Sequence, residues 1–158
     1  MAIERVKEYF KGTEFENKIM EFEISSATVQ LAAIAVGCEG ARIAKTLSFM
    51  VGENPILIVV AGDGKIANPK YKAQFATKAK MLSPDQVTQL IGHSVGGVCP
   101  FGINEGVTVY LDSSLKRFET VFPACGSSNS AIELTIPQLE KLSNFKSWID
   151  VCKLPEIE

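Results

Sequence analysis

TLSFMVGENPILIVVA, residues 46–61, is the stretch on which the fold prediction depends. Its two halves are rich in the β-branched and aromatic residues that favour strands. GENP at residues 52–55 separates them and contains glycine, asparagine and proline, which turns prefer. The stretch therefore predicts a β-hairpin with strands over residues 46–51 and 56–61.

Helices and further strands are predicted on both sides of this hairpin. Amphipathic spacing, caps and glycine stops predict helices over residues 3–12, 25–36, 68–75, 83–92 and 135–142. β-rich or alternating runs predict strands over residues 20–24, 107–111, 120–122 and 131–134. Ser25 or Ser26 is expected to cap the second helix, and Asn68 the third. Because no linker or repeat interrupts this series, we expect an α+β fold, one domain over residues 1–158 built on a curved, mixed sheet.

The composition argues against several functional classes. The 158 residues, 46% of them hydrophobic, are enough for one folded core. Sixteen Lys and Arg against eighteen Asp and Glu leave a net charge of −2, so we expect no general attraction to DNA. We find no apolar run long enough to span a membrane and no signal-peptide core. We therefore expect a cytoplasmic protein without a membrane partner.

The chain contains four cysteines and one histidine, and together they do not show the spacing of a metal site. Without a C-x-x-C pair, the cysteines are expected to be free thiols, and we expect no metal and no cofactor. A Ser-His-Asp or Cys-His enzyme would have to use His93. Because His93 follows a helix stop at Gly92, the alternative role is that of a partner for helix carbonyls.

A glycine-rich run, GGVCPFG at residues 96–102, lies between a predicted helix and a predicted strand. Glycine accepts positive φ and lets a ligand approach the main chain, while Pro100 restricts its own φ and the conformation of Cys99. The amides of such a loop can converge on a carbonyl or an oxyanion. The alternative interpretation is a tight turn beside a bulge.

Two further groups could contact a ligand. Lys45 begins the hairpin's first strand, where its ammonium could reach a phosphate or a carbonyl, or could simply extend into water. The run FPACGSSNS at residues 122–130 could supply hydroxyl, amide and backbone donors, or could be an ordinary connection. Nucleophilic catalysis by Cys99 or Ser127 would need His93 within hydrogen-bond reach, and the spacing indicates no such pair.

The segment between Asp63 and Asp85 contains five lysines and no acidic residue. The lysines are Lys65, Lys70, Lys72, Lys78 and Lys80. Lysines bind phosphates, and the interleaved Tyr71 and Phe75 could stack on unpaired bases, so the segment predicts a nucleic-acid-binding surface. The alternative is a solvated helix face with both rings in the core.

Three segments, each weak by itself, form a specific sequence pattern when they occur together and in this order. They are IAKTL at residues 43–47, GGVCPFG at residues 96–102 and GSSN at residues 126–129. These segments resemble the YbaK/ProX family of aminoacyl-tRNA deacylases, which also occurs as the editing insertion of bacterial prolyl-tRNA synthetases. The resemblance covers most of the chain and implies a mixed, barrel-like sheet surrounded by helices.

The resemblance also implies a reaction, which is metal-free hydrolysis of the ester between a wrong amino acid and a tRNA, most often the tRNA for proline. Lys45 would anchor the terminal adenosine, and the loop that begins at Gly96 would hold the aminoacyl carbonyl and a water. Lys45 and Gly96 are the implied catalytic residues. The adenosine 2′-hydroxyl would help to activate the water. The implied substrate-binding residues are Thr46, Gly97, Val98, Cys99, Pro100, Phe101, Gly126, Ser127 and Asn129.

The expected partner is aminoacyl-tRNA, bound through the five lysines, with a prolyl-tRNA synthetase as a further candidate. The expected assembly is a monomer or a weak homodimer. The late segment lacks the histidine of the alanine-specific branch, so the amino acid stays open among small residues. Two other classes stay open, namely a non-catalytic member that binds tRNA or a synthetase, and a small hydrolase of free esters.

Overall fold

The computed structural model describes residues 2–155, and its centre is a mixed six-stranded sheet. In chain order the strands are β1 (Met20–Glu21), β2 (Ile43–Val51), β3 (Asn54–Ala61), β4 (Lys65–Ile66), β5 (Thr108–Asp112), β6 (Thr120–Pro123), β7 (Ser130–Ala131), β8 (Leu134–Thr135), β9 (Ser147–Ile149) and β10 (Cys152–Lys153). The sheet has the order β8-β6-β2-β3-β5-β9, while β1 pairs with β7 and β4 with β10. β2 runs antiparallel to β3 but parallel to β6, and β3 and β9 both run parallel to β5.

Helices and helical turns connect and cover these strands. They are α1 (Ala2–Phe10), α2 (Val29–Val36), α3 (Asn68–Phe75), α4 (Pro84–Gln86), which continues into a π-helical turn (Val87–Ile91), and α5 (Ile136–Ser143). Two 3₁₀ turns, Gly40–Arg42 and Ser113–Arg117, precede β2 and follow β5. The predicted α+β fold with a curled, mixed sheet is thereby confirmed.

The predicted hairpin is confirmed, but its strands are longer than expected. β2 and β3 pair from Ala44 with Ala61 to Val51 with Asn54. The turn is therefore only Gly52 and Glu53, and Gly52 takes the positive φ that such a short turn requires. Because β2 begins at Ile43, Lys45 lies inside the strand rather than at its start.

β3 is buried on both faces, which explains its unbroken apolar sequence. Leu57 and Val59 belong to the larger core, which also contains Phe10 and Phe101. Ile58, on the other face, belongs to a second core that α3 covers.

The ring of Tyr71 on α3 is fully buried in this second core, and Phe75 packs against it at a centroid distance of 4.7 Å. These two rings are core residues, as the alternative interpretation expected.

Several boundaries differ from the sequence prediction. The second helix begins at Val29 with Thr28 as its cap, and the third is capped by Ala67 with Asn68 already helical. The strand predicted over residues 131–134 is instead split into β7 and β8, and that over residues 20–24 is reduced to β1. β4, β9 and β10 were missed because two or three residues carry too little periodicity. None of the helices within residues 2–155 is both long and apolar enough to cross a membrane.

A fully buried carboxylate joins the end of β5 to the C-terminal strands. Asp112 accepts hydrogen bonds from the amide of Ser114 at 2.9 Å and from the amide of Val151 at 2.8 Å. No other charged side chain within residues 3–155 is as completely buried. Its two bonds hold the 3₁₀ turn and the chain after β9 in one place.

We expect Asp112→Ala to lower the free energy of unfolding by about 3 kcal/mol, because two charge-assisted bonds are lost and two buried amides are left unpaired. Asp150→Ala is the control, since Asp150 forms an exposed ion pair with Lys70 and should cost less than about 1 kcal/mol. Urea unfolding measures both. Equal losses in the two variants would contradict the structural role of Asp112.

Candidate active site

The candidate active site is a cavity of about 430 Å³ beside the unpaired edge of β2. Its walls come from the segment before α2 and α2 itself, from β2, from the chain leading into α4, from the glycine loop and from the residues around β6 and β7. The lining residues are Ser26, Ala27, Thr28, Val29, Ala32, Ile43, Ala44, Lys45, Thr46, Leu47, Ser48, Met81, Leu82, Pro84, Val87, Val95, Gly96, Val98, Phe122, Ala124, Ser130 and Ala131. Among them are five hydroxyl side chains and one charged side chain, that of Lys45.

The side chain of the half-buried Lys45 has no partner in the described part of the chain. Its main chain pairs with Val60 in the hairpin, but its ammonium forms no hydrogen bond or ion pair with any residue between 2 and 155. Burial is the main cause that lowers the pKa of its ammonium below the ordinary lysine value. Lys65 acts in the same direction, and Cys152 and Asp63 act in the opposite one. An unpaired, partly desolvated ammonium gains more from an anionic or carbonyl oxygen than one in water does.

Two hydroxyls of the cavity wall are buried without a hydrogen-bond partner in the described part of the chain. They are Ser26 Oγ, on a residue only 7% exposed, and Thr46 Oγ1. A buried hydroxyl without a partner costs about 1–3 kcal/mol, so such groups are uncommon away from functional sites. Their position in the same wall as Lys45 indicates a polar ligand.

Each of the two adjacent glycines of the loop is required for a different structural reason. Gly96 lines the cavity with φ at +95°, a conformation that residues with a Cβ avoid. Gly97 is needed for close approach, since a Cβ there would lie 2.6 Å from the main chain of Gly126 and of Ser127. The Gly97 carbonyl accepts a hydrogen bond of 3.0 Å from the Gly126 amide, which locks the two loops together.

The rest of the glycine loop faces the core. Val98 reaches the cavity wall, but Cys99, Pro100 and Phe101 are buried and do not line it. Burial raises the pKa of the Cys99 thiol to about 12. The structure therefore does not bring these three implied substrate-binding residues to the cavity.

The structure pairs Cys99 with His93, which the spacing did not indicate. Cys99 Sγ lies 3.5 Å from His93 Nε2, and the same nitrogen lies 2.7 Å from the carbonyl of Phe101. His93 is only 1% exposed, and burial lowers the pKa of its imidazole. The pair is closed to substrate, so it supports the loop rather than a thiolate reaction. The helix-carbonyl role expected for His93 is also wrong, because its partner is Phe101.

The GSSN segment, residues 126–129, contacts the site residues from outside the cavity. Ser127 Oγ lies 2.9 Å from Asn129 Oδ1 and 2.7 Å from Ser130 Oγ, and Asn129 Nδ2 donates to the carbonyl of Phe22 at 2.9 Å. Gly126, Ser127 and Asn129 do not line the cavity, although Ala124 and Ser130 beside them do. Their bonds position the glycine loop and the segment before α2.

The five lysines of the basic segment are exposed and lie outside the cavity lining. Lys70 is already engaged, because its Nζ lies 3.0 Å from Asp150 and 3.0 Å from the carbonyl of Cys152. Lys80 directly precedes Met81, which lines the cavity, and Lys78 is two residues earlier. The basic segment thus divides into a part near α3 and a part that leads to the cavity residue Met81.

Among the lining residues that sequence reasoning missed are Ser26, Ser48, Met81 and Val95. No motif contains the first three, and only the structure places them in the same cavity as Thr46. Met81 and Val95 are 61% and 63% exposed although both are apolar and line the cavity, so they stand at its mouth. Within the described residues no cluster of three metal-ligating side chains occurs.

The comparisons with known proteins agree on one family. The chain matches the family described as aminoacyl-tRNA editing domain over residues 25–142. It is 55% identical over 154 residues to YwhH, an uncharacterized protein of Bacillus subtilis (strain 168), covering 97% of this chain and 98% of that protein. It is 29% identical over 90 residues to the proline–tRNA ligase of Streptococcus sanguinis (strain SK36), covering 56% of this chain but only 15% of that ligase.

Solved structures show the same fold over nearly the whole chain. A candidate trans-editing enzyme for prolyl tRNA synthetase superimposes with a TM-score of 0.86 at 27% identity, covering 96% of this chain and 97% of that one. The hypothetical protein APE2540 superimposes with a TM-score of 0.82 at 22% identity, covering 94% and 99%, and shows the fold alone.

We expect Thr46→Val to leave the melting temperature unchanged or to raise it, because valine has the same shape and removes a buried hydroxyl that has no partner. Thr28→Val is the matched control, since the Thr28 hydroxyl accepts from the Leu31 amide at 3.2 Å and caps α2. The control should lose about 1 kcal/mol. Calorimetry measures both, and a loss in Thr46→Val as large as that of the control would show that its hydroxyl is paired.

Proposed function

The chain belongs to the aminoacyl-tRNA editing domain family, and from that membership we propose that it hydrolyses the ester of a mischarged tRNA, acting in trans. The observation that carries the proposal is that Lys45, whose ammonium is unpaired, and Gly96 line the same cavity. Neither a carboxylate nor a histidine lines that cavity. The protein is thus suited to binding and orienting an ester, and poorly suited to acid–base catalysis with its own side chains.

In the proposed mechanism, Lys45 binds the phosphate or ribose oxygens of the terminal nucleotide. The amides of the loop that begins at Gly96 hold the ester carbonyl as negative charge develops on it. A water lies against this carbonyl, and the neighbouring hydroxyl of the terminal ribose assists its deprotonation. Positioning the reacting atoms in this way supplies most of the rate acceleration without a metal.

The cavity walls favour a small, uncharged amino acid. Most lining side chains are apolar, and no acidic group is present to bind a basic side chain. Relatives that are proline–tRNA ligases support the tRNA for proline as substrate and a prolyl-tRNA synthetase as partner. The cytoplasm, where tRNA is charged, is the proposed location.

A non-catalytic member that binds tRNA or a synthetase is the second candidate. Exposed apolar side chains at the cavity mouth, Met81 and Val95, would suit either a nucleotide base or a protein surface. A panel of mischarged tRNAs separates the two candidates, since only the enzyme releases the amino acid catalytically. A free-ester hydrolase that uses Cys99 is disfavoured by the complete burial of the thiol.

We expect Lys45→Ala to fold normally and to lose at least about 10-fold in the rate of deacylation, which corresponds to about 1.4 kcal/mol of transition-state stabilisation. Lys153→Ala is the control, because Lys153 is an exposed lysine on β10 that does not line the cavity. Rates are measured with excess EDTA in the buffer, which should leave the unchanged protein fully active. A folded Lys45→Ala protein with the rate of the control would remove Lys45 from the mechanism.

We expect the double reversal Lys78→Glu with Lys80→Glu to raise KM for aminoacyl-tRNA and to make KM less dependent on salt. The reason is that these exposed lysines precede the cavity residue Met81, where they would contact acceptor-stem phosphates. The value of kcat should change much less. Lys141→Glu with Lys146→Glu, also exposed, is the charge-matched control. A KM and a salt slope equal to those of the control would indicate that a synthetase delivers the tRNA.

A further inference from the structure

β2 has a gap along the edge that faces the cavity. Its other edge pairs with β3 from Ala44 to Val51. On the cavity edge, β6 pairs only as far as Ala44. Pairing resumes at the far end, where the Leu82 amide donates to the Ser48 carbonyl at 3.2 Å and the Met50 amide donates to the Lys80 carbonyl at 2.8 Å.

The gap leaves the main chain of Thr46 without a partner. In a strand the amide and carbonyl of one residue point to the same edge, and successive residues alternate between edges. Because Ser48 and Met50 point to the cavity edge, Thr46 points there too. No hydrogen bond to its amide or carbonyl occurs among residues 2–155. A strand interior normally pairs both groups, so this omission is local and specific.

The size of the gap corresponds to one residue. Ala44 and Ser48 are paired at either end, and the four residue steps from one to the other span about 13 Å. Thr46 lies midway and lines the cavity together with Lys45 and Leu47. A strand residue that filled the gap would offer one donor and one acceptor to Thr46.

We propose that the main chain of Thr46 binds the aminoacyl group of the substrate as a one-residue strand, an inference that rests on the proposed function. The free α-ammonium donates to the Thr46 carbonyl, and the ester carbonyl accepts from the Thr46 amide. This arrangement is β-strand addition limited to a single residue pair. No carboxylate lines the cavity, so the acceptors for the ammonium are neutral oxygens, and the unpaired Thr46 carbonyl is the one that lies in the gap of β2.

The proposal defines a substrate class. An aminoacyl ester with a free α-amine fits the gap, whereas an N-acylated ester has lost the charge and carries a bulky group where the Thr46 carbonyl must be approached. Peptidyl-tRNA and N-acylated aminoacyl-tRNA are therefore excluded. Because the contact is to the main chain, it places no demand on the identity of the amino-acid side chain.

The first test compares three esters of one tRNA, namely the alanyl, lactyl and N-acetylalanyl forms. The lactyl ester replaces the ammonium by a hydroxyl of similar size, so it separates charge from bulk. We expect kcat/KM to fall at least about 10-fold for the lactyl ester and further for the N-acetyl ester. Hydrolysis of the N-acetyl ester as fast as the alanyl ester would overturn the proposal.

The second test removes the Thr46 amide itself. Incorporating the α-hydroxy acid counterpart of threonine at position 46 replaces the N–H by an oxygen and keeps the side chain. We expect deacylation to fall about 10-fold. The melting temperature should fall only slightly, since no internal bond to this amide is lost and the one weakened group is the Lys45 carbonyl, which becomes an ester carbonyl facing β3. The control is the same replacement at Val51, whose amide faces β3, where the melting temperature should fall and the rate should persist.

The outcomes distinguish this inference from the proposed function. Full activity of the protein altered at position 46 overturns the role of the Thr46 main chain and leaves the deacylase activity standing. An unaltered protein that hydrolyses no mischarged tRNA overturns both. Loss of rate at position 46 together with discrimination against the lactyl and N-acetyl esters supports both.

Discussion

The pairing of β2 with β3 is the constraint on which the site depends. Eight consecutive residue pairs hold β2 along one edge, and β3 itself is buried on both faces by two cores. The backbone of β2 is therefore rigid although its other edge is only partly paired. Rigidity matters for the proposed mechanism because Lys45 and Thr46 would act from a strand interior, where their positions cannot relax toward solvent.

A second constraint is the contact between the glycine loop and the late segment. Gly97 approaches Gly126 and Ser127 so closely that no side chain fits between them. Behind this contact, the buried Cys99, Phe101 and His93 anchor the loop to the core. The result is that Gly96 faces the cavity with its main chain while the bulky residues of the same motif serve packing.

These two constraints explain how one cavity could carry out the proposed ester hydrolysis with few ionisable groups. The chain presents one ammonium, main-chain groups from a loop and from a strand, and several hydroxyls. Such groups bind and orient, and their contribution grows as the walls exclude water. The burial that lowers the pKa of Lys45 would also strengthen the proposed interaction of its ammonium with a substrate oxygen.

The hairpin, most helices and the family could be predicted from the sequence, because they depend on local propensities and on motifs contiguous in the chain. The same motifs singled out Lys45, Thr46 and Gly96, which the structure brings to one cavity. The sequence did not separate the members of the glycine loop that face the cavity from those that face the core, nor foresee the pairing of Cys99 with His93. Only the tertiary structure places Ser26 and Met81 in the cavity and leaves the gap beside Thr46. Their roles arise where β6 ends and residues 80–82 begin to pair, and the relative position of such distant segments leaves no periodic pattern in a sequence.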